Sequence, residues 1–380
     1  MLKKINLFEA RTKGYHVYRI PGIAVAPGGT ILATCEARRG NGGDWDGNDV
    51  LIRRSADGGD TWDEQRTVVA CADYGPGPIS NFVMIPDGEL DCVHGIFCHN
   101  YERVFYLRSD DQGASFTAPR DITASVEALK KEYPWRVVAT GPAHGIKTSR
   151  GRLIVPLWMS DGSGTEFGAG KLGHRPSVVA SIYSTDGGRN WAAGEIVARD
   201  GQVVPHKNST ASLVNPSETV AVELADGSIL FNLRSESSPH LRVVSRSKDG
   251  SAAWSEPRFD EALMDPVCMA SIIDAGFGKA IVFANPDNLE HAMTKPTGVN
   301  ADRKRLSIKL SLDDCSHWAY NRVLEEGPSG YSDLARLPDG RLLCLYECGI
   351  VDRMYDDRFL TLGIFDLAWV RDGSRIPQNG

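Results

Sequence analysis

Apolar residues in this chain come in short runs, each closed by a polar turn that carries glycine. Val50-Leu51-Ile52, Val104-Phe105-Tyr106-Leu107 and Val178-Val179-Ala180-Ser181-Ile182-Tyr183 are rich in β-branched and aromatic residues and too short for helices. They read as buried strands. Each is followed by the same box, Ser-x-Asp-x-Gly running on to Trp or Phe: Ser55–Trp62, Ser109–Phe116 and Ser184–Trp191. Two degraded copies, Ser247–Trp254 and Ser311–Trp318, lack the second glycine. In each box the Asp carboxylate can accept from the N–H groups of its own turn, while glycine takes the left-handed position. The closing aromatic returns to the core and pins the turn, so each box reads as a turn between antiparallel strands.

A second kind of turn, glycine followed closely by Ile or Leu, recurs around Gly28, Gly88, Gly151, Gly227, Gly278 and Gly340. The mean interval is about 62 residues. Two turns per unit of that length suit a four-stranded sheet. Six units predict an all-β fold, a six-bladed β-propeller with Asp-box turns that occupies residues 1–380 as a single domain. The one helix the pattern predicts is Thr123–Glu132, an insertion between blades.

Charge and cysteine usage narrow the function. Forty-two Lys and Arg against 49 Asp and Glu leave a net charge of −7, so no nucleic-acid partner is expected. No apolar stretch is long enough for a membrane span. The eight cysteines include no CxxC pair, and no histidine pair has zinc spacing. They read as buried free thiols, and no metal is expected. Residues 1–10 lack the apolar run of a secretory leader, which favours the cytoplasm; removal of a leader upstream would instead mean export. The oligomeric state is not legible.

Tyr18-Arg19-Ile20-Pro21 ahead of the first blade, followed by five Asp boxes, resembles the sialidase (neuraminidase) family of glycoside hydrolases, over about Tyr15 to Glu347. The resemblance implies a six-bladed propeller and a retaining exo-α-sialidase that removes terminal sialic acids from glycoconjugates without cofactor or metal. It implies three arginines for the substrate carboxylate: Arg19, Arg234 in Phe231-Asn232-Leu233-Arg234, and Arg303, with Arg305 as the competing choice. Fixed, always-charged forks suit a carboxylate. Tyr331 matches the nucleophile and Glu218 its base, since this family departs from the two-carboxylate scheme. A carboxylate nucleophile would be repelled by the substrate's own carboxylate, whereas a phenol with an ordinary pKa near 10 needs a base beside it.

The acid is expected on the Gly-rich loop after the first hairpin. Counting back from the Ser55 box selects Asp49, with Asp44 and Asp46 as rivals. Arg38 matches a sugar contact, and Glu347 matches a residue that orients Arg19. His144 either lines the cleft or is structural. Where the family carries an acid near the start of the second blade, this chain reads Pro78-Ile79-Ser80-Asn81-Phe82-Val83-Met84. That departure keeps open a related 2-keto-3-deoxy sugar acid as substrate. A non-catalytic Asp-box propeller that binds glycans is the reading from outside the enzymes.

Overall fold

The computed structural model describes residues 1–294, 299–353 and 355–376. The fold is all-β, as the pattern predicts. Four strands, Val17–Val25, Ile31–Arg38, Asn48–Ser55 and Arg66–Val69, form the first sheet as an antiparallel meander. Separate sheets follow, built on Ile79–Asp87 to Arg120–Asp121, on Val137–Thr140 to Ala192–Ala193, and on Thr219–Glu223 to Arg258–Met264. A two-stranded ribbon, Val203–His206 with Ser209–Ser212, lies between the last two in the chain.

The remainder is one eight-stranded sheet rather than two separate ones. A single 19-residue strand, Trp318–Arg336, pairs with Lys304–Ser311 through its first part and with Leu342–Cys348 through its last. The N-terminal strand Leu2–Glu9, which the repeat pattern does not predict, adds to the far edge of this sheet beside Phe359–Phe365, with Leu2 opposite Phe365. The N-terminal strand therefore neighbours one near the C-terminus, while the short final strand Ser374–Arg375 pairs with Trp318–Arg336.

The Asp boxes form the turns they were expected to form. Asp57 accepts from Thr61 N at 2.9 Å and takes the Ser55 hydroxyl proton at 2.8 Å, while Ser55 Oγ accepts from Gly59 N. Asp111 and Asp186 repeat the arrangement. The last box holds its shape without glycine, with Asp314 and Cys315 both at positive φ. Trp62, Phe116, Trp191 and Trp254 each pack against a buried cluster from the box end, and Trp318 is itself buried.

The helix expected over 123–132 is present as Ala124–Glu127 running into a 3-10 turn to Lys131. It is not alone: Glu290–Thr294 and Leu367–Arg371 are also helical, the latter capped by Asp366 accepting from Trp369 N. All eight cysteines are free thiols, seven of them buried. Among the described residues no helix is long and apolar enough to cross a membrane.

Candidate active site

Three inner strands break register at comparable points, and each break turns a polar residue into one cavity. The strand Val17–Val25 bulges between Arg19 and Gly22, with Ile20 at φ +56°. Ile79–Asp87 bulges between Ser80 and Val83, with Asn81 at φ +55°. Trp318–Arg336 bulges between Ser329 and Ser332. Bulges re-aim side chains, and a β-branched residue at positive φ is strained backbone that its surroundings must hold. Here Glu347 does the holding. Its carboxylate accepts from Ile20 N at 3.0 Å and Tyr331 N at 2.9 Å, tying two of the bulges together. A Cβ on Gly330 would meet Glu347 Oε2 at 2.3 Å, so only glycine allows this approach.

The resulting cavity, about 430 Å³, is lined by Arg19, Arg38, Asp44, Asn81, Glu218, Arg234, Arg303 and Tyr331, among others. Glu218 and Arg234 are neighbours across a hairpin, with Arg234 N donating to Glu218 O, and their side chains form an ion pair. The Tyr331 hydroxyl donates to Glu218 Oε1 at 2.5 Å and accepts from Arg234 Nη1 at 2.8 Å. Arg19 forks onto Glu347 with two bonds of 3.0 Å. The guanidiniums of Arg19 and Arg303 lie 5.2 and 5.3 Å from the Tyr331 ring centroid. Burial, then the charge of Glu218, pushes the Tyr331 phenol well above its ordinary pKa against the pull of the three arginines, so it is a neutral hydroxyl at rest.

Of the residues expected from sequence, Arg19, Arg38, Glu218, Arg234, Arg303 and Tyr331 all line this one cavity, and Glu347 stands directly behind Arg19. Arg305 does not: it is at the surface, paired with Glu326 at 2.9 Å. Asp49 does not line the cavity either. Its carboxylate is consumed by the Tyr15 hydroxyl at 2.7 Å, the Arg39 guanidinium at 2.7 Å and Cys71 N at 2.9 Å. Asp46 caps its own loop, accepting from Asn41 N and Gly43 N. Asp44 is the aspartate of this loop that reaches the cavity, 2.6 Å from Arg38 Nη1. Burial would raise its pKa, but Arg38, His174 and Arg19 outweigh that and hold it at about 2. Arg38 is fixed from its other side by Glu36, which also accepts from Asn81 N at 2.7 Å. His144 is structural, its Nδ1 2.6 Å from buried Asp333.

The sequence reading missed the opposite wall, Tyr101, Trp158, Glu166, Phe167, His174, Arg175 and Glu236, and also Tyr355, which stands beside Arg19 and Arg303. A signal existed for part of it. Residues 161–176, Asp-Gly-Ser-Gly-Thr-Glu-Phe-Gly-Ala-Gly-Lys-Leu-Gly-His-Arg-Pro, form a second glycine-rich stretch with five glycines, beside the shorter loop carrying Asp44. Arg175 is tied to Glu236 at 2.6 Å and His174 N to Glu166.

A family model for the BNR repeat-like domain matches residues 29–344, most of the chain. A sialidase from Micromonospora viridifaciens is 30% identical over 388 residues, covering 94% of this chain and 53% of that protein. This chain belongs to the sialidase family. A sialidase from Bacteroides fragilis is 27% identical over 369 residues, covering 88% of the chain and 60% of the relative. The chain thus spans little more than half the length of these two relatives. Among solved structures, the microbial sialidase Hz136 superposes with a TM-score of 0.73 at 22% identity, over 97% of this chain and 69% of that one, which shows a shared fold.

Proposed function

We propose that this sialidase-family chain is a retaining exo-α-sialidase that removes terminal sialic acids from glycans through a tyrosine nucleophile. The observation that carries the reading is the Tyr331–Glu218 hydrogen bond ringed by Arg19, Arg234 and Arg303. A binding module has no use for a base hydrogen-bonded to a buried phenol. Six blades follow if the eight-stranded sheet counts as two that share the strand Trp318–Arg336, the four other large sheets count as one each, and the two-stranded ribbon is set aside.

In this mechanism the three guanidiniums hold the sugar's carboxylate, with Glu347 keeping Arg19 in plane. The Tyr331 oxygen attacks the anomeric carbon and its proton passes to Glu218 Oε1. The bond to the leaving oxygen breaks as that oxygen takes a proton from Asp44. Arg234, already donating to the phenol oxygen, stabilises the charge that builds there. Water then attacks the tyrosyl-linked sugar, Asp44 takes its proton, and the phenol recovers its own from Glu218. Two displacements retain configuration.

Asp44 rather than Asp49 is assigned as the acid because it lines the cavity and Asp49 is bonded elsewhere. At about 2 its resting pKa is that of a base. A bound sugar acid brings a negative charge and expels water, and both raise it.

The test is release of methylumbelliferol from its α-sialoside, with proton NMR of the first-formed anomer. Turnover with α product is expected. No turnover of any 2-keto acid glycoside would overturn the reading. A second reading changes only the sugar. It is favoured by Asn81, which lines the cavity where the resemblance calls for an acid. A substrate panel in which a deaminated or shorter 2-keto acid outruns N-acetylneuraminate would select it.

A further inference from the structure

Asp44 sits in a connection with few polar anchors of its own. Residues 40–47 are closed by Gly42 N to Arg39 O, Asp46 N to Gly43 O and the two backbone bonds that Asp46 accepts, and two outside guanidiniums reach the loop backbone, Arg38 at the Gly42 carbonyl and Arg353 at the Asn41 carbonyl. The Asp44 carboxylate itself is held by Arg38 alone. The next residue, Trp45, contacts the far side. Its ring centroid lies 5.0 Å from that of Tyr101, 6.0 Å from His174 and 6.3 Å from Phe167, and Lys171 Nζ stands 5.4 Å from the indole centroid. His174 is the centre of this cluster, 4.5 Å from Phe167, 4.7 Å from Tyr101 and 5.0 Å from Trp158. Its Nε2 and the Trp45 indole nitrogen are both buried without a hydrogen-bond partner, so ring packing rather than polar bonding joins the two loops. Burial drives the His174 pKa down to about 4 despite Asp44, Glu166 and Glu218, with Arg175 acting in the same direction as burial. The imidazole is therefore neutral at pH 6–8 and packs as an aromatic ring.

We propose that Trp45 is a positioning residue for the acid: its indole, wedged against Tyr101, Phe167 and His174, sets where the Asp44 carboxyl stands over the cavity. Trp45 and Asp44 are adjacent in the chain, so any shift of the indole carries the Asp44 backbone with it. The loop's glycines give no stiffness of their own. The cluster on the opposite loop supplies it, through close contacts that are individually weak and collectively large. The proposal rests on the assignment of Asp44 as the acid. Its signature is specific, because a displaced acid harms leaving groups that need a proton and spares those that do not.

The experiment compares Trp45→Ala, Trp45→Phe and Asp44→Asn on two α-sialosides, one of galactose and one of methylumbelliferol, with thermal melts of each variant. Trp45→Ala should lower kcat/KM on the galactoside by about tenfold to a hundredfold, as a small misplacement of a catalytic group does, and stay within about threefold on the aryl substrate. Trp45→Phe, which keeps a ring against His174, should recover most of the galactoside loss. Should Trp45→Ala fail to fold, Trp45→Leu, which keeps the bulk without the ring plane, carries the same test. If Asp44→Asn harms both substrates equally, Asp44 is not the acid and the underlying assignment fails. If Asp44→Asn shows the dependence on leaving group while Trp45→Ala harms both substrates equally or neither, the assignment stands and the role of Trp45 is overturned.

Discussion

The two walls of the cavity are built by different physics. On the arginine wall every charge is placed by backbone. Arg19 and Tyr331 sit at bulges of hydrogen-bonded strands, Glu218 and Arg234 face each other across a hairpin, and Glu347 binds a guanidinium and two peptide N–H groups at once. The other wall combines two glycine-rich loops with Tyr101 and Trp158, and Asp44, the proposed acid, is held there by one ion pair beside the Trp45 indole. The first wall buries cations, a cost that only closely paired geometry repays, and under the proposed function it holds the sugar's carboxylate. Under the proposed function the second has to admit a leaving group and release it, which suits packing that can yield. Asp44 and Asp49 show the contrast within one hairpin connection. Asp49 lies in the strand Asn48–Ser55 opposite Ala37 and spends its oxygens on structure, while Asp44 lies in the loop and keeps its face to the cavity.

The largest effect should come from the arginine wall. Tyr331→Phe removes the nucleophile and leaves the cations in place, so kcat should fall on the order of 10⁴-fold or more on every substrate while binding of a sialic-acid-like inhibitor is nearly unchanged. Wild-type turnover in that variant would refute the roles assigned to both walls.

Asp44→Asn should come next, costing roughly 10²–10⁴-fold on a galactoside and far less on a methylumbelliferyl sialoside. Asp49→Asn should lower the melting temperature, because it disturbs a carboxylate bonded to Tyr15, Arg39 and Cys71 N, and leave the leaving-group dependence unchanged. Exchanged behaviour of the two variants in the same assay would reverse their assignment.

A smaller effect concerns pH. Asp357 Oδ2, almost fully buried, lies 3.4 Å from Arg19 Nε in an ion pair but takes no hydrogen bond. Burial, then the charge of Glu347, pushes it up to about 7 against Arg19 and Arg303. An unfolded aspartate titrates near 3.9. The folded protein therefore prefers the protonated form, and the stability this group contributes is fully present below about pH 4 and lost as pH rises through about 7. Asp357→Asn should melt about 2–4 °C above wild type at pH 8 and close to it at pH 4. An equal offset at both pH values would mean that the charge is not the cause.

The smallest effect lies outside both walls. Asp186→Ala removes the carboxylate that bonds Asn190 N and the Ser184 hydroxyl in an Asp box. It should cost about 1 kcal/mol, read as a fall of roughly 2 °C in Tm, with kcat/KM unchanged.

The repeating strands and turns were legible in the chain because their signals are local. A box that bonds its own backbone needs nothing from elsewhere, and the period-2 register of a strand carries a side chain's direction along the sequence. The residues named from the resemblance to the sialidase motifs, Arg19, Arg38, Glu218, Arg234, Tyr331 and Glu347, lie on strands or at their ends and are found together. The N-terminal strand escaped notice because its partner, Phe359–Phe365, is at the other end of the chain. The choice among Asp44, Asp46 and Asp49 was not legible because counting residues through Gly40-Asn41-Gly42-Gly43 fixes no direction, since a glycine loop has no register to transmit. Which aspartate faces the cavity is decided by Arg38, held from Glu36, and by the rings of Tyr101, Phe167 and His174. Those rings come from other sheets and a distant loop, and only the closed fold brings them within reach of the loop that carries Asp44.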